Sequence, residues 1–202
     1  PGSPLDCCAS RPHIGAMHIQ TQTTPNPATL MFRPGRSVSP EGTHDFDTPE
    51  AAEASPLASA LFALGDVTGV FYGEDFVSVT KDPSGGDWSA LKPDVMSLIV
   101  DHFASGAPLF FAGAPDTAPQ IDENEEDADI RRQITELLDD RVRPAVAGDG
   151  GDIVFHGFKE GVVYLRMQGA CAGCPSSTAT LKNGIENLLR YYVPEVEEVR
   201  AV

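Results

Sequence analysis

Two cysteines near the end of the chain carry the clearest chemistry in the sequence. Cys171 and Cys174 lie three positions apart in the stretch GACAGCP. The only other cysteines are the adjacent Cys7 and Cys8, so four cysteines in 202 residues do not form a disulfide framework. Thiols at this spacing exchange disulfides or bind soft metals. The sequence therefore predicts either a redox pair or a metal site at Cys171 and Cys174.

The backbone around the two cysteines is predicted to activate them. They follow the predicted strand VVYLRMQG and precede a predicted helix, and Gly169 and Gly173 allow tight bends beside them. The unpaired N–H groups and the positive dipole end at a helix N-terminus favour a thiolate over a thiol. We therefore expect both thiols to be exposed and to have lowered pKa values, unlike buried structural cysteines.

Three chemistries remain open at this pair. A dithiol oxidoreductase needs nothing more, although a thioredoxin-like motif belongs in a βαβ unit and here a β-hairpin precedes it. A zinc ion needs four ligands, and the nearest histidine in the sequence, His156, lies in mid-strand. Two copies of the chain around a two-fold axis would supply four thiolates, enough for a [4Fe–4S] cluster or for zinc. The other histidines considered as ligands are His18, His44 and His102.

An acidic segment divides the chain into two predicted domains. Residues 112–129 read AGAPDTAPQIDENEEDAD, which has no hydrophobic period, and we expect a flexible linker. Residues 17–111 contain 12 acids and 4 bases, whereas residues 131–202 contain 10 acids and 9 bases. The predicted units are a lead at 1–16, a first domain at 17–111, the linker, and a second domain at 130–202.

The fold class predicted for both domains is α+β. In the first domain, strands HIQTQT and ATLMFRPG, a helix capped by Ser55, a hairpin around Gly73 and a helix over Trp88–Ser105 give the order ββαββα. In the second, the order is αββαβ. Its first helix is predicted to end at Pro144 and GDGGD, its second to begin at a Ser176 or Ser177 cap, and VEEVRAV to form the last strand.

Composition narrows the possible partners. The formal net charge of −16 disfavours nucleic acid and anionic membrane surfaces, because both require a basic face. No apolar run approaches the roughly 20 residues of a membrane span. The lead resembles neither a signal peptide nor a transit peptide, and we interpret it as a cloning remnant or translated upstream sequence before a natural start at Met17.

These motifs resemble a known family. From GDGGD through LRMQGACAGCPSSTATLKNGIENLLRYYVPEVEEV, the chain resembles the NifU C-terminal domain of iron–sulfur assembly proteins, over about residues 130–202. The first domain, with TTPNPATLMF and GVFYGEDFVSVTK, looks like the Nfu N-terminal domain. The architecture is similar to that of the bacterial and mitochondrial Nfu-type carriers.

The resemblance implies a carrier and not an enzyme. Such a protein holds a [4Fe–4S] cluster between two protomers and delivers it to apo-proteins, with Cys171 and Cys174 as ligands. The implied partners are a second copy when the cluster is bound, an upstream cluster donor and apo iron–sulfur clients, with no nucleic acid and no membrane. The implied location is the bacterial cytoplasm, or the mitochondrial matrix in a eukaryote. A dithiol oxidoreductase using the same pair is the alternative.

Overall fold

A computed structural model describes residues 18–111, 127–172 and 175–202, with the backbone alone for 175–177. The expectations for the lead at 1–16, for most of the linker and for Cys174 lie outside the described residues. The linker's last residues are described, and the first helix of the second domain begins at Ala128, two residues earlier than predicted. No helix in the described ranges is long and apolar enough to cross a membrane.

The first domain is a five-stranded antiparallel sheet with its helices on one face. The strand order is β1-β2-β5-β4-β3. Its strands are β1 (Gln20–Thr23), β2 (Thr29–Arg33), β3 (His44–Phe46), β4 (Val67–Tyr72) and β5 (Val77–Lys81). Its helices are α1 (Pro49–Ala52), α2 (Pro56–Phe62) and α3 (Trp88–Ser105). The predicted order is confirmed, and β3 and α1 are additional elements too short to give a periodic signal.

Local sequence signals set the helix boundaries in this domain. Ser55 caps α2, and its side chain accepts a hydrogen bond from the backbone N–H of Ala58. Gly106 ends α3 in the left-handed conformation, with φ of 68°. Both boundaries agree with the prediction.

Alternation along the strands separates the two faces of the first sheet. Leu30 and Phe32 of β2 pack into the hydrophobic core beneath α2 and α3. Met31, between them, lies on the opposite face with Phe71 and Phe76 in a separate apolar cluster. This second face is also buried at its centre, so the first sheet is covered on both sides.

The second domain packs its helices against a three-stranded sheet. The strand order is β6-β7-β8, with β6 and β7 antiparallel and β8 parallel to β7. The elements are α4 (Ala128–Leu137), a π-helical turn (Leu138–Val142), α5 (Arg143–Gly148), β6 (Gly151–Lys159), β7 (Val162–Gly169), α6 (Pro175–Tyr192) and β8 (Glu198–Ala201). The predicted order αββαβ is confirmed.

Two predicted helix boundaries in this domain are wrong. Pro144 does not end the first helix but lies in the first turn of α5, where the missing N–H costs no hydrogen bond. The helix ends at the predicted glycine turn instead, where Gly150 has a φ of 83°. The backbone of α6 begins at Pro175, before the predicted cap at Ser176 or Ser177.

The two domains contact each other through the outer face of the first sheet, which the sequence did not predict. The Ser78 hydroxyl donates to the Gly150 carbonyl at 2.7 Å, and the Thr43 hydroxyl donates to Asp152 Oδ2 at 2.7 Å. An ion pair joins Asp47 and Arg166 at 3.6 Å. The surface of the second domain that is contacted in this way includes the segment that carries the cysteines.

Candidate metal-binding site

Cys171 lies in the turn that connects β7 to α6. Its backbone N–H donates to the Gln168 carbonyl at 3.3 Å, and the Ala172 N–H donates to the Gly169 carbonyl at 3.1 Å. The Thr178 hydroxyl of α6 donates to the Cys171 carbonyl at 3.1 Å. These bonds fix the turn at the strand end predicted from the sequence. The second predicted site residue, Cys174, is outside the described residues.

The sulfur of Cys171 points into the core of the second domain. The residue is only 7% exposed and belongs to the hydrophobic cluster formed by the helices and the sheet. A Cβ atom placed on Gly151 would lie 2.6 Å from this sulfur. The absence of a side chain at Gly151 is therefore what leaves room for the thiol inside the domain.

Burial changes the expected acidity of this thiol. Desolvation, together with the nearby carboxylates of Asp149 and Asp152, raises the pKa of Cys171 to about 12. The predicted exposure and lowered pKa are thus wrong for this conformation. The reason is that the sulfur lies in the core and not against the N-terminus of α6. At neutral pH, Cys171 is a protonated, shielded thiol.

Asp152 anchors the glycine turn beside the cysteine. It is 3% exposed, and its carboxylate accepts three hydrogen bonds from its own domain. The donors are Arg143 Nε at 2.9 Å, Arg143 Nη2 at 2.7 Å and the backbone N–H of the adjacent Ile153 at 2.8 Å. The fourth donor is Thr43 of the first domain. This role of Asp152 is not part of the sequence prediction, in which GDGGD is a helix end; the acid that follows the glycines is the signal for it.

A second acid, Asp45 of β3, faces the cysteine segment from the first domain. Its Oδ1 accepts from the Gly169 N–H at 3.4 Å. Burial raises the pKa of Asp45 to about 6; Asp47 adds to the rise, whereas the Gly169 N–H and Arg166 oppose it. Asp45 borders a cleft of about 900 Å³ that reaches Ala172. The other charged or titratable groups around this cleft are Asp47, Arg131, His156, Lys159, Tyr164 and Arg166.

Because burial raises the pKa of Asp45, we expect docking of the two domains to depend on pH. The docked state favours the protonated carboxyl of Asp45, so its contribution is fully present below the usual pKa of 3.8 and is lost as pH rises through about 6. We expect the radius of gyration measured by X-ray scattering to increase between about pH 4 and about pH 6 and to stay constant above that, with docked chains still present at neutral pH. Asp45→Asn should keep the chain docked across this range, whereas Asp94→Asn, on the exposed face of α3, should behave as the unmodified chain. An unchanged pH profile in Asp45→Asn would contradict the assignment.

The histidines do not complete a metal site in the described part of the chain. No three His, Cys, Asp or Glu residues come together there in a way that could hold a metal ion. His102 is buried in the first domain, where desolvation lowers its pKa. His156 lines the cleft beside the cysteine segment.

Comparison with known proteins matches both domains. The family described as "NifU-like domain" matches residues 134–200, and the family described as "Scaffold protein Nfu/NifU N terminal" matches residues 19–106. The chain belongs to the Nfu family. The NifU-like match includes Cys171, Cys174 and the glycine turn, and the Nfu N-terminal match includes all five strands of the first sheet.

Several members of the Nfu family are similar over nearly the whole chain. "NFU1 iron-sulfur cluster scaffold homolog, mitochondrial" of Homo sapiens is 50% identical over 92% of this chain and 72% of its own length. The protein of the same name from Drosophila ananassae is 49% identical over 92% of this chain, which spans 64% of that relative. "NifU-like protein 5, mitochondrial" of Arabidopsis thaliana is 50% identical over 91% of this chain and 67% of its own length.

Proposed function

We propose that this chain is an iron–sulfur cluster carrier. Two copies hold one [4Fe–4S] cluster through Cys171 and Cys174 of each copy, and the cluster is passed to apo-proteins. The observation that carries the proposal is the C-x-x-C motif in the β7–α6 turn of a domain that belongs to this family. The names of the relatives, which describe them as iron–sulfur cluster scaffolds, support the same cargo.

The donor set fits a shared cluster. Thiolates are the ligands that iron–sulfur clusters take, and a cube needs four of them. One chain offers two in this motif, so two chains around a two-fold axis offer the full set. A cluster divided in this way is freed when the two copies separate, because neither copy alone can complete its ligation. This suits delivery better than permanent electron transfer.

Ligation requires Cys171 to leave its position in the core. In the described conformation its sulfur lies where a Gly151 side chain would be. The thiol must turn outward and lose its proton to solvent as its bond to iron forms, since the thiolate is the ligand. The conformation with Cys171 turned inward is therefore the resting form of the empty chain, and binding of the cluster includes a rearrangement of the β7–α6 turn.

A carrier function is favoured over a dithiol oxidoreductase function. A thiol whose pKa is raised to about 12 is a poor nucleophile for disulfide exchange at neutral pH, because little thiolate is present. Coordination to iron itself lowers the pKa of a thiol and releases its proton, whereas attack on a disulfide requires thiolate that is already present. The chain then acts without turning over a substrate, with a cluster donor and apo clients as partners. The word mitochondrial in the names of these relatives favours the matrix over a bacterial cytoplasm.

Reconstitution under anaerobic conditions tests the proposal. Iron and sulfide supplied to the reduced chain should saturate at about four of each per two chains, since one cube takes four cysteines. Size-exclusion chromatography should detect a dimer that appears with the cluster. Saturation at a full cube per monomer, or a stable zinc ion instead of iron, would contradict the shared-cluster assignment.

Transfer is tested with the loaded protein and a cysteine-rich apo-client. Activation of the client should be faster than with free iron and sulfide and should persist in the presence of a chelator, because ligands are exchanged within a protein complex. Complete loss of activation with chelator would mean that the cluster is shed into solution, and the carrier function would then be wrong.

A further inference from the structure

One residue from each strand forms a row across the outer face of the first sheet. The strand registers place these five residues side by side, on the face opposite to α2 and α3. In spatial order the row consists of Gln22, Met31, Ser78, Phe71 and Asp45. Met31, Ser78 and Phe71 at its centre are each 1% exposed, so this stretch of the face is fully covered.

The second domain covers this row with two segments, the glycine turn before β6 and the end of β7 that leads to Cys171. Ser78 donates to the Gly150 carbonyl, and Asp45 accepts from the Gly169 N–H. Met31 and Phe71 form an apolar cluster against which Ala147 of α5 packs. Four of the five positions in the row, all but Gln22, thus meet either the turn before β6 or the end of β7.

Two glycines make this approach possible. A Cβ on Gly150 would lie 2.9 Å from Ser78 Oγ and 3.1 Å from Thr24 Cγ2. A Cβ on Gly169 would lie 2.9 Å from the ring of Phe71. Both glycines also have positive φ, 83° and 61°, which other residues rarely adopt. Gly150 of GDGGD and Gly169 of GACAGC are therefore needed for the close contact with the first domain as well as for the turns in which they lie.

The first domain holds the backbone on both sides of Cys171. Asn26 Nδ2 donates to the Ala172 carbonyl at 3.4 Å. On the other side, the Gly150 carbonyl that receives Ser78 also receives the Ala170 N–H at 3.1 Å. Between these two attachments, the Cys171 sulfur faces the core. A ligand to a cluster shared with a second chain must face outward, so docking and ligation require different conformations of the same turn.

We infer that the first domain is a reversible cap, which docks its outer sheet face on the cysteine turn, keeps Cys171 turned inward in the empty chain and is released when the cluster binds. The inference rests on the proposed function for the identity of the cargo. Reversibility follows from the character of the contact: apart from the Met31, Phe71 and Phe76 cluster, it consists of single hydrogen bonds and one ion pair. Such interfaces between domains open readily.

The experiment compares two variants that add the same charge on opposite sides of the first sheet. Met31→Glu places a carboxylate in the centre of the docked row, where burial without a partner is unfavourable. Ser97→Glu places it on the exposed face of α3. The rate at which iodoacetamide alkylates Cys171 in the empty chain is measured at one pH by mass spectrometry of its peptide. Met31→Glu should raise the rate about tenfold or more, because a loss of about 1.4 kcal/mol in docking changes the open fraction tenfold; Ser97→Glu should leave it unchanged.

X-ray scattering on the same samples links alkylation to the position of the domains. The radius of gyration should be larger for empty Met31→Glu than for the empty unmodified chain. Because loading also forms a dimer, the loaded unmodified chain is compared with loaded Met31→Glu, and the two radii of gyration should agree. Should Met31→Glu unfold the first domain, Ser78→Ala serves instead. It removes one hydrogen-bond donor from the interface and should raise alkylation a few-fold, in line with about 1 kcal/mol for such a bond.

The outcomes separate the cap from the proposed function. Separated domains with an unchanged alkylation rate would overturn the cap, since the second domain alone would then protect Cys171. A loaded unmodified chain that is more compact than loaded Met31→Glu would also overturn it while leaving the carrier function intact. If alkylation responds as expected and no variant binds iron and sulfide, the cap stands and the proposed cargo is wrong.

Discussion

Serine at either position of the C-x-x-C motif is expected to abolish cluster binding. In Cys171→Ser or Cys174→Ser, two copies of the chain retain only two thiolates between them, and a cube needs four ligands. A serine hydroxyl has too high a pKa to replace a thiolate as a ligand of iron at neutral pH. Iron and sulfide retained after desalting should fall to background, and the dimer that accompanies the cluster should disappear.

The matched control for this loss is the other cysteine pair. The double variant Cys7→Ser/Cys8→Ser removes two thiols per chain, one more than either single variant, from residues that precede the predicted structure, and it should still retain the full cluster. Circular dichroism checks that the folded state survives in all variants, and Cys171→Ala tests the same ligand without placing a hydroxyl in the core. A cluster of normal stoichiometry in Cys171→Ala would remove Cys171 from the ligand set.

Local signals were sufficient for most of the fold. The apolar spacing of Leu91, Val95 and Ile99, closed by Gly106, predicted the bounds of α3 correctly, because a long amphipathic helix with a glycine terminator depends on few distant residues. The position of the cysteine motif between β7 and α6 followed from the same kind of signal. The π-helical turn before α5 did not, since Pro144 can either end a helix or begin one.

The direction of the Cys171 side chain could not be predicted from the sequence. Its sulfur occupies space left by Gly151, which is 20 positions away in the chain and reaches it only through the pairing of β6 with β7. The sequence rule that cysteines at a helix start are activated assumes that the sulfur lies at the helix end. Here the turn points it the other way, and desolvation raises the pKa of the thiol.

The contact of the second domain with the outer face of the first sheet could not be predicted from the sequence for a related reason. A strand covered on both faces has no polar–apolar alternation, and β2 reads TLMFR with its first four residues buried. Such a run indicates burial but does not say which partner lies on the second face. The partner here is a glycine turn, whose close approach leaves no hydrophobic signal of its own.

Gly151→Ala is expected to destabilise the second domain and to displace the cysteine. The new methyl group would lie 2.6 Å from Cys171 Sγ, 2.6 Å from the Gln168 carbonyl and 2.9 Å from the Cys171 backbone nitrogen. Two of these three neighbours are backbone atoms of the cysteine turn, so a rotamer change alone cannot relieve the clash. The free energy of unfolding should fall by about 1–3 kcal/mol, the usual cost of overpacking a well-filled core, and alkylation of Cys171 in the empty chain should become faster.

Gly184→Ala provides the matched control because it makes the same substitution in α6. Among the described residues, no atom beyond its chain neighbours and the backbone of its own helix lies within 4 Å of a Cβ built on Gly184, and alanine is favoured over glycine in a helix interior by about 1 kcal/mol. Thermal or urea unfolding should therefore order the three proteins with Gly184→Ala above the unmodified chain and Gly151→Ala below it. Cluster loading adds a second readout: if the inward position of Cys171 is only a resting state, Gly151→Ala should still bind iron and sulfide at conditions where it is folded. Equal stability and equal alkylation in Gly151→Ala and the unmodified chain would mean that Gly151 does not hold the thiol in place.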